Sequence, residues 1–292
     1  MKRLRLLFLL AFNSILLCTF ASRPPGFTLW QLPAQTPSQM NSYVILTDNG
    51  KLCVVDGGTP GDAPYLRGFL AALGNEVEAW FISHPHIDHM GALNELLKAP
   101  GDLKIHTIYH SELSASFLEQ HEAGAKPLTT AFYNNMRAFK GTVVNLTKPG
   151  LLLKMGNTRI KILGTKNEEI SANAYNNQSV IIKVWDARKS VLFLGDLGVE
   201  GGNKLLNGPY RNELDCDYLQ MAHHGQNGVN EDFYRAIKFE GCLWPTPRWL
   251  HDNDAGKGYN THIWKTVEIR NLMDEKGIRK HYWMFDGLIK IK

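Results

Sequence analysis

The segment WFISHPHIDHMGAL, residues 80–93, places three histidines and one aspartate within six consecutive positions. These side chains, His84, His86, Asp88 and His89, follow an apolar run and precede a helical pattern. Imidazole and carboxylate groups together suit zinc, manganese or iron. We expect His84 and His86 to point at one metal ion, and Asp88 and His89 to point at a neighbouring ion.

Polar residues also end three other predicted strands. Asp56 ends KLCVVD, Asp196 ends VLFLGD, and His223 and His224 follow DYLQMA. Strand ends that meet at one edge of a sheet bring distant residues into one pocket. Asp196 has two carboxylate oxygens and could bridge both ions. A water between two ions would lose a proton near neutral pH and act as the nucleophile of a hydrolysis.

The pair His223 and His224 leaves one alternative open. One histidine is expected to bind the metal of Asp88 and His89, and the sequence does not decide which. The other is expected to contact substrate or a neighbouring carboxylate.

Strands and helices alternate around these residues, which predicts an α/β fold with two sheets packed between helices. We predict a hairpin of strands 43–46 and 52–55 around Asp-Asn-Gly. A second predicted hairpin, with Asp286-Gly287 at its turn, closes the chain. The other predicted elements include a helix at 62–73, a strand at 77–83, a helix from 91, a helical stretch at 112–139, a run of strands from 151, a helix at 230–239 and a helix at 261–276.

The first 21 residues have the layout of a secretory signal: Lys2, Arg3 and Arg5, then an apolar stretch, then small residues. We expect cleavage before Ser22 and an exported domain of residues 22–292, either periplasmic or extracellular. An uncleaved membrane anchor and a lipid anchor on Cys18 are the alternatives. No later stretch is apolar enough to span a bilayer.

Charge and cysteine content limit the function classes. The chain carries a net charge of +4, which falls to +1 without the first 21 residues. Proteins that bind long nucleic acids usually carry a strong positive surplus, so we see no strong nucleic-acid signal. Cys53, Cys216 and Cys242 are too few for a disulfide framework and are predicted to be buried thiols.

The motifs FISHPHIDHMGALNELL, NNQSVIIKV, VLFLGD and LQMAHHG together resemble the metallo-β-lactamase fold superfamily over roughly residues 40–292. The pattern is most similar to the metallo-hydrolase domain of competence-type DNA-uptake proteins. Exported relatives of that pattern include a teichoic-acid phosphorylcholine esterase. The resemblance implies a four-layer αββα sandwich that holds two divalent ions, with zinc expected first and manganese or iron as alternatives.

The resemblance also assigns roles outside the metal ligands. Asp56 matches a family aspartate that orients ligands through hydrogen bonds. Many members have another histidine in a PGHT-like turn, but residues 163–180 here contain no histidine. Asn176 is a candidate polar neighbour in that region. The His84/His86 site is therefore expected to be short of one protein ligand and to hold its ion more weakly.

His262 is a further catalytic candidate near the start of a predicted helix, with Asn260 or Thr261 as its cap. The competence-type pattern has a histidine at a similar place. His262 could line the substrate pocket or donate a proton to a leaving group. A purely structural role at the helix start is the alternative.

These observations favour an exported metal-dependent hydrolase of a small-molecule or cell-envelope phosphodiester, with Asp88, Asp196 and His262 as catalytic candidates. The first alternative is hydrolysis of a carbonyl ester, amide or lactam on the same metal site. The second is a non-catalytic exported binding protein, which the retained metal-ligand residues disfavour. Redox di-iron relatives commonly carry glutamate where His86 stands, which disfavours that chemistry.

Overall fold

The computed structural model describes residues 26–292, so the predicted signal segment lies outside the described residues. The strands are β1 (Thr28–Gln31), β2 (Ser42–Leu46), β3 (Leu52–Asp56), β4 (Glu76–Phe81), β5 (Lys104–His110), β6 (Thr142–Asn145), β7 (Leu152–Met155), β8 (Thr158–Gly164), β9 (Ile181–Trp185), β10 (Ser190–Phe193), β11 (Tyr218–Gln220), β12 (Gly241–Trp244), β13 (Lys280–Trp283) and β14 (Ile289–Ile291). The α-helices are α1 (Ala63–Ala72), α2 (Ile87–Lys98), α3 (Ala115–Gln120), α4 (Lys126–Ala138), α5 (Val199–Leu206), α6 (Glu231–Ala236), α7 (Arg248–His251) and α8 (Thr266–Glu275).

The strands form two mixed sheets. The first has the order β14-β1-β2-β3-β4-β5-β6, and the second has the order β13-β12-β11-β10-β9-β8-β7. In the first sheet β3 to β6 pair in parallel, while β14, β1, β2 and β3 pair antiparallel. In the second sheet β10 to β13 pair in parallel, while β7 to β10 pair antiparallel.

Three apolar cores separate four layers. In β2, Tyr43 and Ile45 face the core between the sheets, whereas Val44 faces the core beneath α1 and α2. Successive side chains of a strand point to opposite faces, so a strand buried on both faces is apolar throughout. A third core lies between the second sheet and α5, α6 and α8. The predicted α/β class and four-layer αββα sandwich are confirmed.

The carboxyl ends of neighbouring parallel strands meet at one edge of the sandwich. In the first sheet, β3 ends at Asp56, and β4 is followed by residues 83–89. In the second sheet, β10 leads to Asp196, and β11 leads to residues 223–224. This edge therefore gathers the polar residues that are far apart in sequence.

The helix after the histidine motif begins earlier than predicted. α2 begins at Ile87 with His86 as its N-cap, so Asp88 and His89 lie in its first turn rather than in a loop. A negative side chain is stabilised at a helix N-terminus, which makes this turn a suitable place for Asp88.

The predicted helical stretch at 112–139 is divided into α3 and α4 by residues 121–125. Pro127 lies in the first turn of α4, where its missing N–H costs nothing, whereas within a continuous helix it would break the hydrogen-bond ladder. Glu122, between the helices, has a φ angle of 48°.

Two expectations near the carboxyl end are wrong. The last long helix begins at Thr266, not at residue 261, and Lys265 is its N-cap. The expected final hairpin does not form, because β13 pairs with β12 in the second sheet and β14 pairs with β1 in the first. Met284 is buried beside the first sheet, and Gly287, with a φ angle of 100°, carries the chain between the sheets.

Cys53, Cys216 and Cys242 are free and buried, as predicted. Burial raises the pKa of the Cys53 thiol to about 12. Among residues 26–292, none of the helices has the length and apolar character needed to cross a bilayer.

Candidate metal centre

The first donor cluster joins both sheets through Asp88, His89, Asp196 and His224. His224 Nε2 lies 3.1 Å from Asp88 Oδ2 and 3.3 Å from Asp196 Oδ2. His89 Nε2 lies 3.2 Å from Asp196 Oδ2 and 3.8 Å from Asp88 Oδ2. Two ligand atoms on one tetrahedral zinc ion are about 3.3 Å apart, given zinc–ligand bonds of about 2.0–2.1 Å. The cluster therefore has the dimensions of a metal site.

The second donor cluster contains His84, His86 and Asp196. His84 Nε2 lies 2.9 Å from His86 Nδ1 and 3.8 Å from Asp196 Oδ2. Asp196 belongs to both clusters, as expected for a carboxylate that bridges two ions. This second cluster has fewer protein donors than the first, which agrees with the absence of a histidine between residues 163 and 180.

Each histidine of the centre has one ring nitrogen held by a neighbour and the other directed inward. A neutral imidazole has one N–H and one lone pair, so the neighbour decides which nitrogen can bind a metal. The neighbours are Ser83 Oγ for His84 Nδ1 (3.1 Å), Glu122 Oε2 for His86 Nε2 (2.8 Å), Asp56 Oδ2 for His89 Nδ1 (2.8 Å), the Asn227 carbonyl for His223 Nδ1 (3.2 Å) and the Pro245 carbonyl for His224 Nδ1 (2.9 Å).

Unsatisfied buried atoms mark where an ion would fit. Within residues 26–292, His89 Nε2, His224 Nε2 and Asp196 Oδ1 are buried and form no hydrogen bond. Buried polar atoms without a partner are costly, so they indicate a ligand that completes the site. The residues present therefore fit a divalent ion.

The electrostatics of the first cluster are those of opposite charges buried together. Burial favours the neutral acid, but the rings of His224, His89 and His223 hold the pKa of Asp196 well below its ordinary value. Burial opposes a charged ring, yet Asp196 and Asp88 raise the pKa of His224 to about 9. The carboxylates thus favour positive charge beside them, which a bound metal ion would supply in place of the ring protons.

Asp56 lies at the bottom of the centre and is fully buried. Its carboxylate accepts hydrogen bonds from Asn41 Nδ2 at 2.7 Å, Ser83 N at 2.7 Å and Ser83 Oγ at 2.8 Å, besides contacting His89. This network orients the His89 ring and leaves Nε2 free for the centre. The structure thus places Asp56 in contact with a histidine of the first donor cluster.

Asn176 and His223 lie together beside the second cluster. Asn176 Nδ2 is 3.3 Å from His223 Nε2, which is 3.9 Å from Asp196 Oδ2. His223 adopts a φ angle of 52°, a conformation that non-glycine residues rarely adopt. The structure therefore places His224 in the first cluster, while His223 contacts Asn176 and lies near the shared Asp196.

His262 is not brought into either cluster. Its backbone pairs with Asn253, and its ring lies 3.7 Å from the ring of Trp264. Among the described residues, none of its hydrogen bonds or ring contacts reaches a metal donor. The loop is nevertheless connected to the centre, because Lys265 N donates to Asn227 Oδ1, and the Asn227 carbonyl contacts His223.

Two residues that contact the donors, Gln39 and Glu122, were not predicted from the sequence. Gln39 Nε2 donates to Asp88 Oδ2 at 3.1 Å, and Gln226 Nε2 donates to Gln39 Oε1 at 3.0 Å. Glu122 contacts His86 across 36 positions of sequence. Neither Gln39 nor Glu122 belongs to a motif with metal-ligand spacing, so nothing in the local pattern could have identified them.

Comparison with known families decides the relationship. A family model described as the metallo-beta-lactamase superfamily matches residues 35–234, more than half of the chain. The chain belongs to the metallo-β-lactamase superfamily. This superfamily assignment confirms the resemblance at its broadest level, and no curated protein matches the sequence.

Solved structures agree with the superfamily fold. The metallo-beta-lactamase fold protein YhfI from Bacillus subtilis is 12% identical, with 92% of this chain and 100% of that chain covered and a TM-score of 0.53. CmlA, a diiron beta-hydroxylase from Streptomyces venezuelae, is 13% identical, with 92% of this chain and 55% of that chain covered and a TM-score of 0.55. At these identities the likeness is one of fold.

Proposed function

We propose that this protein is an exported metal-dependent phosphodiesterase that uses a dinuclear centre, with zinc as its first candidate metal. The observation that carries the proposal is the convergence of two donor clusters that share Asp196. The fold alone does not decide the reaction, because CmlA has the same fold and is a diiron hydroxylase. The proposal therefore depends on the donor residues.

The two clusters divide the metal-binding work. Asp88, His89 and His224 would hold one ion together with Asp196, and His84 and His86 would hold the other with Asp196. His223 Nε2 faces the second cluster, where it could complete the ligand set or contact substrate. When bound, two divalent ions supply Lewis acidity toward phosphoryl oxygens and activate water for attack.

The remaining residues would position groups around the reaction. Asp56 fixes the His89 ring, and Asn176 Nδ2 is a donor next to His223. Two adjacent positive sites suit the anionic oxygens of a phosphodiester, either a small molecule or a component of the cell envelope. For His262 we propose proton donation to the leaving group, since its loop is connected to His223 through Asn227.

Turnover of bis(p-nitrophenyl) phosphate tests the proposal. The chain from Ser22, loaded with zinc or manganese, is expected to release nitrophenol. Loss of a residue that only supports a metal ligand typically lowers activity by about 10- to 100-fold. In Asp196→Asn the rate should fall by more than that, because Asp196 is itself a proposed ligand. Asp102→Asn changes an exposed aspartate and serves as the matched control with native turnover.

The other outcomes separate the alternatives. A protein that binds two ions but releases no nitrophenol would overturn the phosphodiesterase proposal and favour carbonyl esters, amides or lactams. A folded protein that binds no metal would favour a non-catalytic binding protein.

A further inference from the structure

His86 is the most exposed donor of the centre. Its side chain is 22% exposed, whereas those of His84, His89 and His224 are fully buried. It also belongs to the cluster with fewer donors. His86 is therefore less constrained by packing than these three rings, so the partner of its outer nitrogen matters more.

Glu122 is that partner. Its Oε2 lies 2.8 Å from His86 Nε2, on the opposite side of the ring from Nδ1, which lies 2.9 Å from His84 Nε2. A carboxylate accepts hydrogen bonds but cannot donate one when ionised, so it holds the proton on Nε2. The lone pair of His86 is then on Nδ1, the nitrogen that faces His84.

Glu122 is itself held by the chain around it. Its backbone carbonyl accepts from Ala125 N at 2.8 Å in the break between α3 and α4. Its Oε1 accepts from Tyr175 N at 3.3 Å. The Tyr175 ring stacks on His86 with centroids 5.3 Å apart and planes inclined by 12°. The carboxylate and the ring therefore fix His86 from its edge and its face.

We propose that Glu122 is a positioning residue that selects the Nε2–H tautomer of His86 and thereby strengthens metal binding at the His84/His86 site. Carboxylates that accept a hydrogen bond from a metal-ligating histidine fix its tautomer and raise its basicity as a ligand. In this chain that support lies at the site with fewer protein donors. The inference rests on the proposed dinuclear centre.

Metal affinity is the first test. Glu122→Ala and Glu122→Gln are titrated with zinc against a competing chelator to obtain a dissociation constant for each ion. In Glu122→Ala we expect the dissociation constant of the more weakly bound ion to rise by about 10- to 100-fold. The dissociation constant of the more tightly bound ion should stay unchanged. Glu122→Gln keeps an acceptor without the charge, so its loss should be smaller.

Glu119→Gln is the matched control. Glu119 lies three positions earlier, is 65% exposed and pairs with Lys126, with no contact to His86 among the described residues. Both constants should stay native in this variant. A similar loss in Glu119→Gln would mean that charge near the site, rather than the bond to His86, sets the affinity, and it would overturn the inference.

The tautomer itself is the second test and needs no activity. Imidazole ¹⁵N shifts of metal-free protein report which ring nitrogen carries the proton, and His86→Asn identifies the signals. Native protein and Glu119→Gln should have the Nε2–H tautomer, while Glu122→Ala should have a mixture. Native zinc dissociation constants and an unchanged tautomer in Glu122→Ala would overturn the inference. If the alanine variant fails to fold, the same two measurements are made on Glu122→Gln.

The two proposals can fail separately. A native protein that binds fewer than two ions would overturn the dinuclear phosphodiesterase, while the His86 tautomer would still decide the role of Glu122. Two bound ions with an unchanged tautomer in Glu122→Ala would overturn only the role of Glu122.

Discussion

Five histidines surround Asp196, and the chemistry of the centre depends on which ring nitrogen each one presents. Serine, carboxylate and backbone carbonyl oxygens hold the outer nitrogens, so five inner nitrogens face a shared carboxylate. The residue types and the spacing from His84 to His89 predicted the donors. Among the outer partners, Asp56 was predicted and Ser83 lies within the histidine motif. Glu122, Asn227 and Pro245 come from loops that no motif marks, so they were not predictable.

The two neighbouring histidines should behave differently when removed. His224→Ala removes a buried nitrogen that lies within 3.3 Å of both Asp88 and Asp196, so zinc content should fall from two to about one ion per chain. His223→Ala should retain the ion of the first cluster and weaken only the second. Zinc measured by mass spectrometry after desalting tests this, and a larger loss in His223→Ala would contradict the assignment.

At the scale of secondary-structure elements, the packing of helix α2 positions the donors of the first cluster. The turn after β3 packs on it, since Ala92 N donates to the Gly58 carbonyl. The residue before β2 also contacts it, since Asn41 N donates to the Asp88 carbonyl. A Cβ added at Gly91 would lie 2.5 Å from Pro60 Cδ and 2.8 Å from Pro60 N. The glycine therefore permits the close approach that places Asp88 and His89 beside Asp56.

Substitution of this glycine should be destabilising. Gly91→Ala forces α2 away from Pro60, and we expect a loss of about 1–3 kcal/mol in the free energy of unfolding, as for other overpacked sites. The control Gly68→Ala lies in α1 with nothing within 4 Å of the added Cβ, and it should gain about 0.4–1 kcal/mol. Urea unfolding of metal-free protein measures both, and a Gly91→Ala protein of native stability would contradict the packing argument.

At the scale of the whole molecule, the centre exists only where both sheets meet. The first sheet and α2 contribute His84 to His89, and the second contributes Asp196, His223 and His224. Ions that bind this arrangement and not the unfolded chain would stabilise the packed sandwich.

At the scale of the whole molecule, only part of the fold was predictable from the sequence. Apolar strands with polar ends indicated two sheets between helices, because burial on both faces leaves a local pattern. The last strand was assigned wrongly because Asp286-Gly287 is a local turn signal, whereas the partner of β14 is β1, at the other end of the chain. Pro127 is a local signal for the break within 112–139, but the contact of Glu122 with His86 spans 36 positions and depends on the fold.

The most direct test of the shared dinuclear centre is anomalous diffraction at the zinc absorption edge from zinc-loaded crystals. We predict two peaks about 3.5–4 Å apart, one on each side of the Asp196 carboxylate. A single peak, or two peaks that do not share Asp196, would contradict this prediction.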